Sequence, residues 1–72
     1  MRQVVITPDL EDGGWIVEVP SLPGCISQGD SHEAALANIH DAIQTWIAGA
    51  TEVGLPIPRE RFETQVCVVQ AG

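Results

Sequence analysis

The side chains best equipped for chemistry are two cysteines, two histidines and a set of carboxylates. Cys25 follows Pro23-Gly24, a place where a thiol can stand exposed on a turn and act as a nucleophile. No basic residue adjoins it to lower its pKa, and no Ser-His-Asp-like order surrounds it, so a small, half-buried strand residue is the better reading. Cys67 falls in a second apolar run. A disulfide to Cys25 would require their strands to be neighbours, and two reduced thiols are the default in a cytosolic chain. A zinc site needs closely spaced ligands, whereas Cys25, His32, His40 and Cys67 are scattered without C-x-x-C or H-x-x-x-H spacing. Gly13-Gly14 and Gly24 fit turns, and no G-x-x-x-x-G-K-[ST] cradle for phosphate is present. These residue types therefore imply neither cofactor nor metal, and leave the acidic segment Asp9, Glu11 and Asp12 as the most distinctive chemical feature.

The elements that must position these groups follow from the local patterns. Arg2 to Thr7 is dense in β-branched residues and stops at Pro8, which cannot donate to a sheet ladder, so it reads as a short strand. Asp9 to Gly14 combines acidic turn formers with a Gly pair, and Trp15 to Val19 follows as a second strand with Trp15, Val17 and Val19 on one face; residues 2 to 19 thus form a hairpin. Pro20-Ser21-Leu22-Pro23-Gly24 breaks the chain, because the prolines set φ and Gly24 is free to take a positive φ. Cys25 to Gln28 is a third strand. Asp30 then reads as a helix N-cap, with Glu33 completing a box-like arrangement. Leu36, Ile39, Ile43, Trp46, Ile47 and Ala50 recur at the spacing of one helical face, and Gly54 with Pro56 and Pro58 ends the helix near Glu52. Phe62 to Val69 is the longest strand candidate, with Phe62, Thr64, Val66 and Val68 facing one way. The β-β-β-α-β order implies an α+β fold: a two-layer antiparallel sheet with one helix on one face.

Seventy-two residues make one domain, spanning residues 1–72. A hydrophobic content of 44% suffices for a core, yet a chain of this size buries only about 60% of its unfolded surface, so help from a second chain is expected. Ten acidic residues against three basic ones, all Arg, leave a formal charge of −7. Such a chain is repelled by phosphate backbones, which argues against direct nucleic-acid binding and for a basic protein partner. No apolar run approaches the roughly 20 residues of a membrane span. The N-terminus opens on a strand-like run in place of a signal peptide, so the chain reads as cytoplasmic.

The run from Trp15 through Val19-Pro20-Ser21-Leu22-Pro23-Gly24-Cys25 and Gln28-Gly29-Asp30-Ser31 to Leu36, with Ala42-Ile43, Trp46-Ile47 and Gly54 to Pro58 behind it, resembles the HicB family of antitoxins over residues 2 to 58. The resemblance implies a type II toxin–antitoxin module in which the antitoxin silences a small HicA-type ribonuclease, and an α+β unit that is partly ribonuclease-H-like or dsRBD-like. Many family members append a helix-turn-helix or ribbon-helix-helix segment. No such pattern precedes Gly72, so autoregulation through DNA is not expected of this chain. The ribonuclease-H-like relationship raises the question of carboxylates holding two divalent cations. Asp9, Glu11 and Asp12 lie in the hairpin turn, Glu18 in a strand, and Asp30 and Glu33 at the helix start, which suits a solvated acidic surface and a non-catalytic domain.

The expectation is an antitoxin that occludes a small basic HicA-type toxin, with Asp9, Glu11 and Asp12 steering the encounter and Trp15 anchoring it. A homo-oligomer, most simply a dimer, is expected through the final strand at Phe62, Val66 and Val68. Two rivals stay open: a solitary interaction module without a toxin, and a degenerate ribonuclease-H-like nuclease.

Overall fold

The computed structural model describes residues 1–72. Three short strands, β1 (Val5–Pro8), β2 (Trp15–Glu18) and β3 (Ile26–Gly29), precede one helix, α1 (His32–Glu52). The strands form an antiparallel meander in the order β1-β2-β3. Ile6 lies opposite Val17 and Val17 opposite Ser27, which fixes the alternation that turns Val17 and Val19 into the core. The architecture is α+β, as the sequence implies, with β-β-β-α as the order of its regular elements. No helix of the chain is long and apolar enough to cross a membrane.

The core is wholly apolar: Val17, Val19, Leu22, Cys25, Ala35 and Ile39 are buried together, and no polar or charged residue is buried with them. Leu22 is fully enclosed although it belongs to the Pro20–Gly24 turn. That turn is a small structure in its own right. Leu22 N donates to Val19 O at 3.1 Å, Cys25 N to Leu22 O at 3.0 Å, and the Trp46 indole Nε1 to Pro23 O at 3.0 Å. Gly24 takes the expected left-handed conformation at φ 78°. The segment is thus a plug that closes the open end of the two-layer sandwich.

The helix begins one residue later than expected. Ser31 is the N-cap, its hydroxyl accepting from Ala34 N at 3.0 Å, and Asp30 stands outside the helix. Glu33 falls in the first turn, where its charge complements the helix dipole. At the other end Gly54 N donates to Thr51 O at 3.2 Å and Leu55 N to Ala50 O at 2.8 Å, a Schellman closure with Gly54 left-handed at φ 77°. The buried stripe is rotated from the expected one. Ala35, Ile39 and Ala50 are buried and Ile43 and Trp46 half-buried, whereas Leu36 remains 38% exposed on the flank. The cause lies at Gly29, where a Cβ would come within 2.7 Å of Ala34 C and closer still to Ala35 N. Helix and strand touch backbone to backbone there, so a small residue, Ala35, occupies the contact.

The expected fourth strand, Phe62 to Val69, is not formed. No backbone group beyond Leu55 joins a backbone–backbone hydrogen bond. Alternating apolar residues define a face, but a ladder needs a neighbouring strand, and this segment has none in the single chain. Its root is tied down by a long-range clamp. Arg2 Nη1 donates to Pro58 O at 2.6 Å and to Ser21 Oγ at 3.2 Å, and the Glu60 carboxylate accepts from Gln3 N at 2.7 Å, Ser21 Oγ at 3.2 Å and Phe62 N at 2.8 Å. The amides of Phe62 and then Gln3 hold the Glu60 carboxyl below the usual carboxylate range. Phe62 itself is left-handed at φ 55°, a conformation unusual for a bulky residue.

Two predictions follow from these contacts. Gly29→Ala lowers stability by about 2 kcal/mol or more through overpacking, while Gly49→Ala, at a helical position with nothing near its Cβ, raises it by roughly 0.5–1 kcal/mol; thermal denaturation of both variants checks the sign. The clamp is pH-dependent. Because folding depresses the Glu60 pKa, its contribution is complete above the unfolded carboxylate pKa and disappears as pH falls through the depressed folded value. Amide hydrogen exchange at Gln3 and Phe62 should therefore lose protection, relative to the core amides, on acidification through that window, and Glu60→Gln should show the weakened protection already at pH 7.

Candidate functional site

The hairpin between β1 and β2 is built around Asp9. Its Oδ1 accepts from Glu11 N at 3.1 Å and Asp12 N at 3.2 Å, and its main chain closes the loop through Asp9 N to Gly14 O at 2.9 Å and Gly13 N to Asp9 O at 3.0 Å. Gly14 is left-handed at φ 76°, and a Cβ on it would lie 2.6 Å from Gly29 O, so the loop is pressed against the end of β3. Trp15 opens β2 directly opposite Gly29. The indole is half-buried against the core, with His32 edge-on at a centroid distance of 5.2 Å and an interplanar angle of 84°. From the helix, Asn38 Nδ2 donates to Gln28 O at 2.7 Å and ties α1 to β3.

These pieces enclose an open cleft of about 490 Å³ whose polar wall is made by Asp9, Asp12, Asp30, Gln28 and Asn38, with Trp15 as its aromatic floor. Three of the four residues expected to meet a partner, Asp9, Asp12 and Trp15, are brought together in it; Glu11 sits beside it, exposed at the loop tip. Asp30 is the member that sequence reasoning misassigned. Ser31 takes over the capping role, and Asp30 is left without a protein hydrogen bond at the mouth of the cleft. Asn38 was legible only as a polar residue off the apolar stripe. No basic side chain lines the cleft. Arg2 lies at the opposite end of β1, and Arg59 and Arg61 lie beyond the helix.

Chemically, carboxylates around a half-buried indole suit a cationic side chain: a guanidinium can donate two charge-assisted hydrogen bonds to carboxylate oxygens while its plane meets the open part of the aromatic ring. No three of the His, Cys, Asp and Glu side chains converge closely enough to hold a metal ion. Burial pushes the Cys25 thiol up from its ordinary pKa, so at neutral pH it is a protonated core residue. Cys67 is exposed, and both cysteines are free.

The second set of expected contact residues lies elsewhere. Phe62, Val66 and Val68 are 58%, 88% and 100% exposed along the C-terminal arm, and nothing in the single chain covers them. A separate, mainly apolar groove of about 650 Å³ runs between α1 and the N-terminal stretch, lined by Val4, Leu36, Ile39, Ile43 and Ile47, with Arg2, His40 and Gln44 among its walls.

Comparison with known proteins gives this arrangement its context. The family model described as the HicB-like antitoxin of bacterial toxin–antitoxin systems matches residues 3–68. The UPF0150 protein Ta0767 of Thermoplasma acidophilum is 45% identical over 60 residues, covering 83% of this chain and 86% of that one. The UPF0150 protein ssr1765 of Synechocystis is 43% identical over 49 residues, 68% of this chain and 62% of that one. Antitoxin HicB 1 of Photorhabdus laumondii is 40% identical over 45 residues, which are 62% of this chain and 29% of that longer protein. The match to the family model covers the hairpin, the plug, the helix and most of the arm, and on that extent the chain belongs to the HicB-like antitoxin family of bacterial toxin–antitoxin systems.

Proposed function

We propose that this chain is the antitoxin of a HicAB-type module, acting in the cytoplasm and silencing a small basic HicA-type ribonuclease by occlusion, without catalysis of its own. The observation that carries the reading is the acidic cleft, in which Asp9, Asp12 and Asp30 surround the half-buried indole of Trp15 with no basic residue among them. A net charge of −7 draws a basic protein in from a distance, and the local carboxylates orient it. Trp15 then supplies the desolvated contact on which slow dissociation depends. Within this reading Asp9 has two tasks, since the carboxylate that faces the partner also holds the amides of Glu11 and Asp12. The functional unit of the proposal is a homodimer joined through Phe62, Val66 and Val68, whose apolar surfaces are otherwise left in water.

Stopped-flow association with a purified HicA-type toxin, read alongside protection of RNA from cleavage, tests the proposal. Asp9→Asn/Glu11→Gln/Asp12→Asn keeps the acceptor that shapes the loop and removes its charge; association should slow by about tenfold at low salt, with the difference vanishing as salt rises. Trp15→Ala should instead speed dissociation by about tenfold or more. An association rate indifferent to salt and to the triple change, or full toxin activity in the presence of excess wild-type chain, contradicts the reading.

A further inference from the structure

Two surfaces of this chain are unfinished in complementary ways. The helix lies over β3 and β2 and barely touches β1. Beside the start of β1 this leaves the mainly apolar groove of Val4, Leu36, Ile43 and Ile47, which Arg2 and His40 also line, and the outer edge of β1 has no neighbouring strand. The arm is the converse. Beyond Leu55 its backbone pairs with no other backbone group, while Val66, Val68 and Val69 are 88%, 100% and 81% exposed. Residues 62–69 carry a single charge, that of Glu63. Extended, they span about 26 Å at roughly 3.3 Å per residue, ample to run the length of β1.

The arm does not close on its own body. The radius of gyration is 13.8 Å, against about 11 Å for a compact chain of this length, and the longest extent is 44 Å against a shortest of 19 Å. Glu60 is the last residue hydrogen-bonded to the body, through Gln3 N and Ser21 Oγ. It also fixes the amide of Phe62, whose left-handed backbone is the corner beyond which the arm runs free. A basic toxin is matched to the acidic cleft at the other end of β1. The nearly uncharged arm finds its complement in the apolar groove, and it is the surface at which two chains of charge −7 meet with least repulsion.

We propose that Phe62–Val69 is exchanged between two copies of the chain: each arm pairs as a fourth strand with the outer edge of its partner's β1 and lays Val66 and Val68 into its partner's groove. This deepens the homodimer reading given above and does not depend on the toxin, which its test omits. Strand addition satisfies the ladder groups that both the arm and β1 leave open.

Light scattering on the full-length chain at micromolar concentration should give a dimer. Val66→Asp/Val68→Asp alters only exposed arm positions and should weaken dimerisation by at least about 100-fold with helix content unchanged; Leu36→Asp/Ile47→Asp, on the groove flank, should do the same. Mixed in equal amounts, the two variants should form a heterodimer, since an intact arm from the second then meets an intact groove in the first. A spin label on Cys67 of one wild-type copy should also broaden the amides of Val4 and Ile47 in an isotope-labelled, unlabelled-thiol partner, a readout that needs no groove variant to fold. A full-length monomer at 100-micromolar concentration overturns the dimer and the exchange together. A dimer that survives both variants, a mixture that stays monomeric, or amides of Val4 and Ile47 left sharp in the isotope-labelled partner overturns the exchange while leaving a dimer by another face standing.

Discussion

The contact between Gly29 and the first turn of α1 is the constraint on which the rest of the molecule depends. A side chain at Gly29 would overlap the backbone at Ala34 and Ala35, so the helix lies as close to β3 as two backbones allow. From that pivot the helix runs over β3 and β2 and leaves β1 to one side. Both the acidic cleft and the mainly apolar groove lie along this placement. Trp15, the cross-strand neighbour of Gly29, packs against the core from beside the helix start, and its half-buried indole becomes the floor of the acidic cleft. The uncovered side of β1 becomes the apolar groove.

The same placement explains why the single chain looks incomplete energetically. Its core holds no buried polar residue and only small or medium side chains, with Leu22 and Val17 the largest that are fully enclosed. Burying a Val side chain contributes roughly 1.5–3 kcal/mol, and Val66 and Val68 contribute none of this while they stand in water. For a domain this small, with a net stability in the range of about 5–15 kcal/mol at best, two or three such residues are a large fraction of the whole. The clamp of Arg2, Ser21 and Glu60 holds the root of the arm beside the start of β1 at neutral pH, which limits the chain entropy of the arm's first residues.

How much of this was legible in the sequence depended on whether the determining contact was local. The second and third strands, the end of the helix near Glu52 and the left-handed Gly24 follow from neighbouring residues and appear within a residue of expectation, whereas the first strand forms over Val5–Pro8 in place of Arg2–Thr7, with Pro8 paired to Trp15 at its end. Asp30 and Ser31 are both competent caps one residue apart, and composition could not choose between them; the Ser31 hydroxyl did. The apolar periodicity of the helix located a face but not its centre, because the centre was set by Gly29 across the sheet, which favoured Ala35 over Leu36. Leu22 was hidden by its surroundings, two prolines and a glycine that read as an exposed turn, whereas the turn folds inward around it. The clamp joins residues 56 and 57 positions apart and leaves no spacing to read. The Phe62–Val69 alternation told which residues share a face and could not tell that no strand of the same chain stands beside them.

The segment that carries the family resemblance is, residue by residue, mostly architecture. Leu22 is core, the Pro23 carbonyl accepts from Trp46, Gly24 turns the chain, Cys25 is buried, Gly29 admits the helix and Ser31 caps it. That segment also supplies the base of the cleft, through Trp15, Gln28, Gly29 and Asp30. The remaining acidic wall, Asp9 and Asp12, comes from the hairpin loop outside it. The loop touches the body mainly at Gly14 and is otherwise organised by its own Asp9. Its charges can therefore change without disturbing the helix, the plug or the groove, because the groups that hold those elements lie beyond its reach. The fold thus separates the residues that hold the helix, the plug and the groove from the loop at residues 9–13, whose Glu11 and Asp12 carboxylates stand in solvent and bear little of the packing.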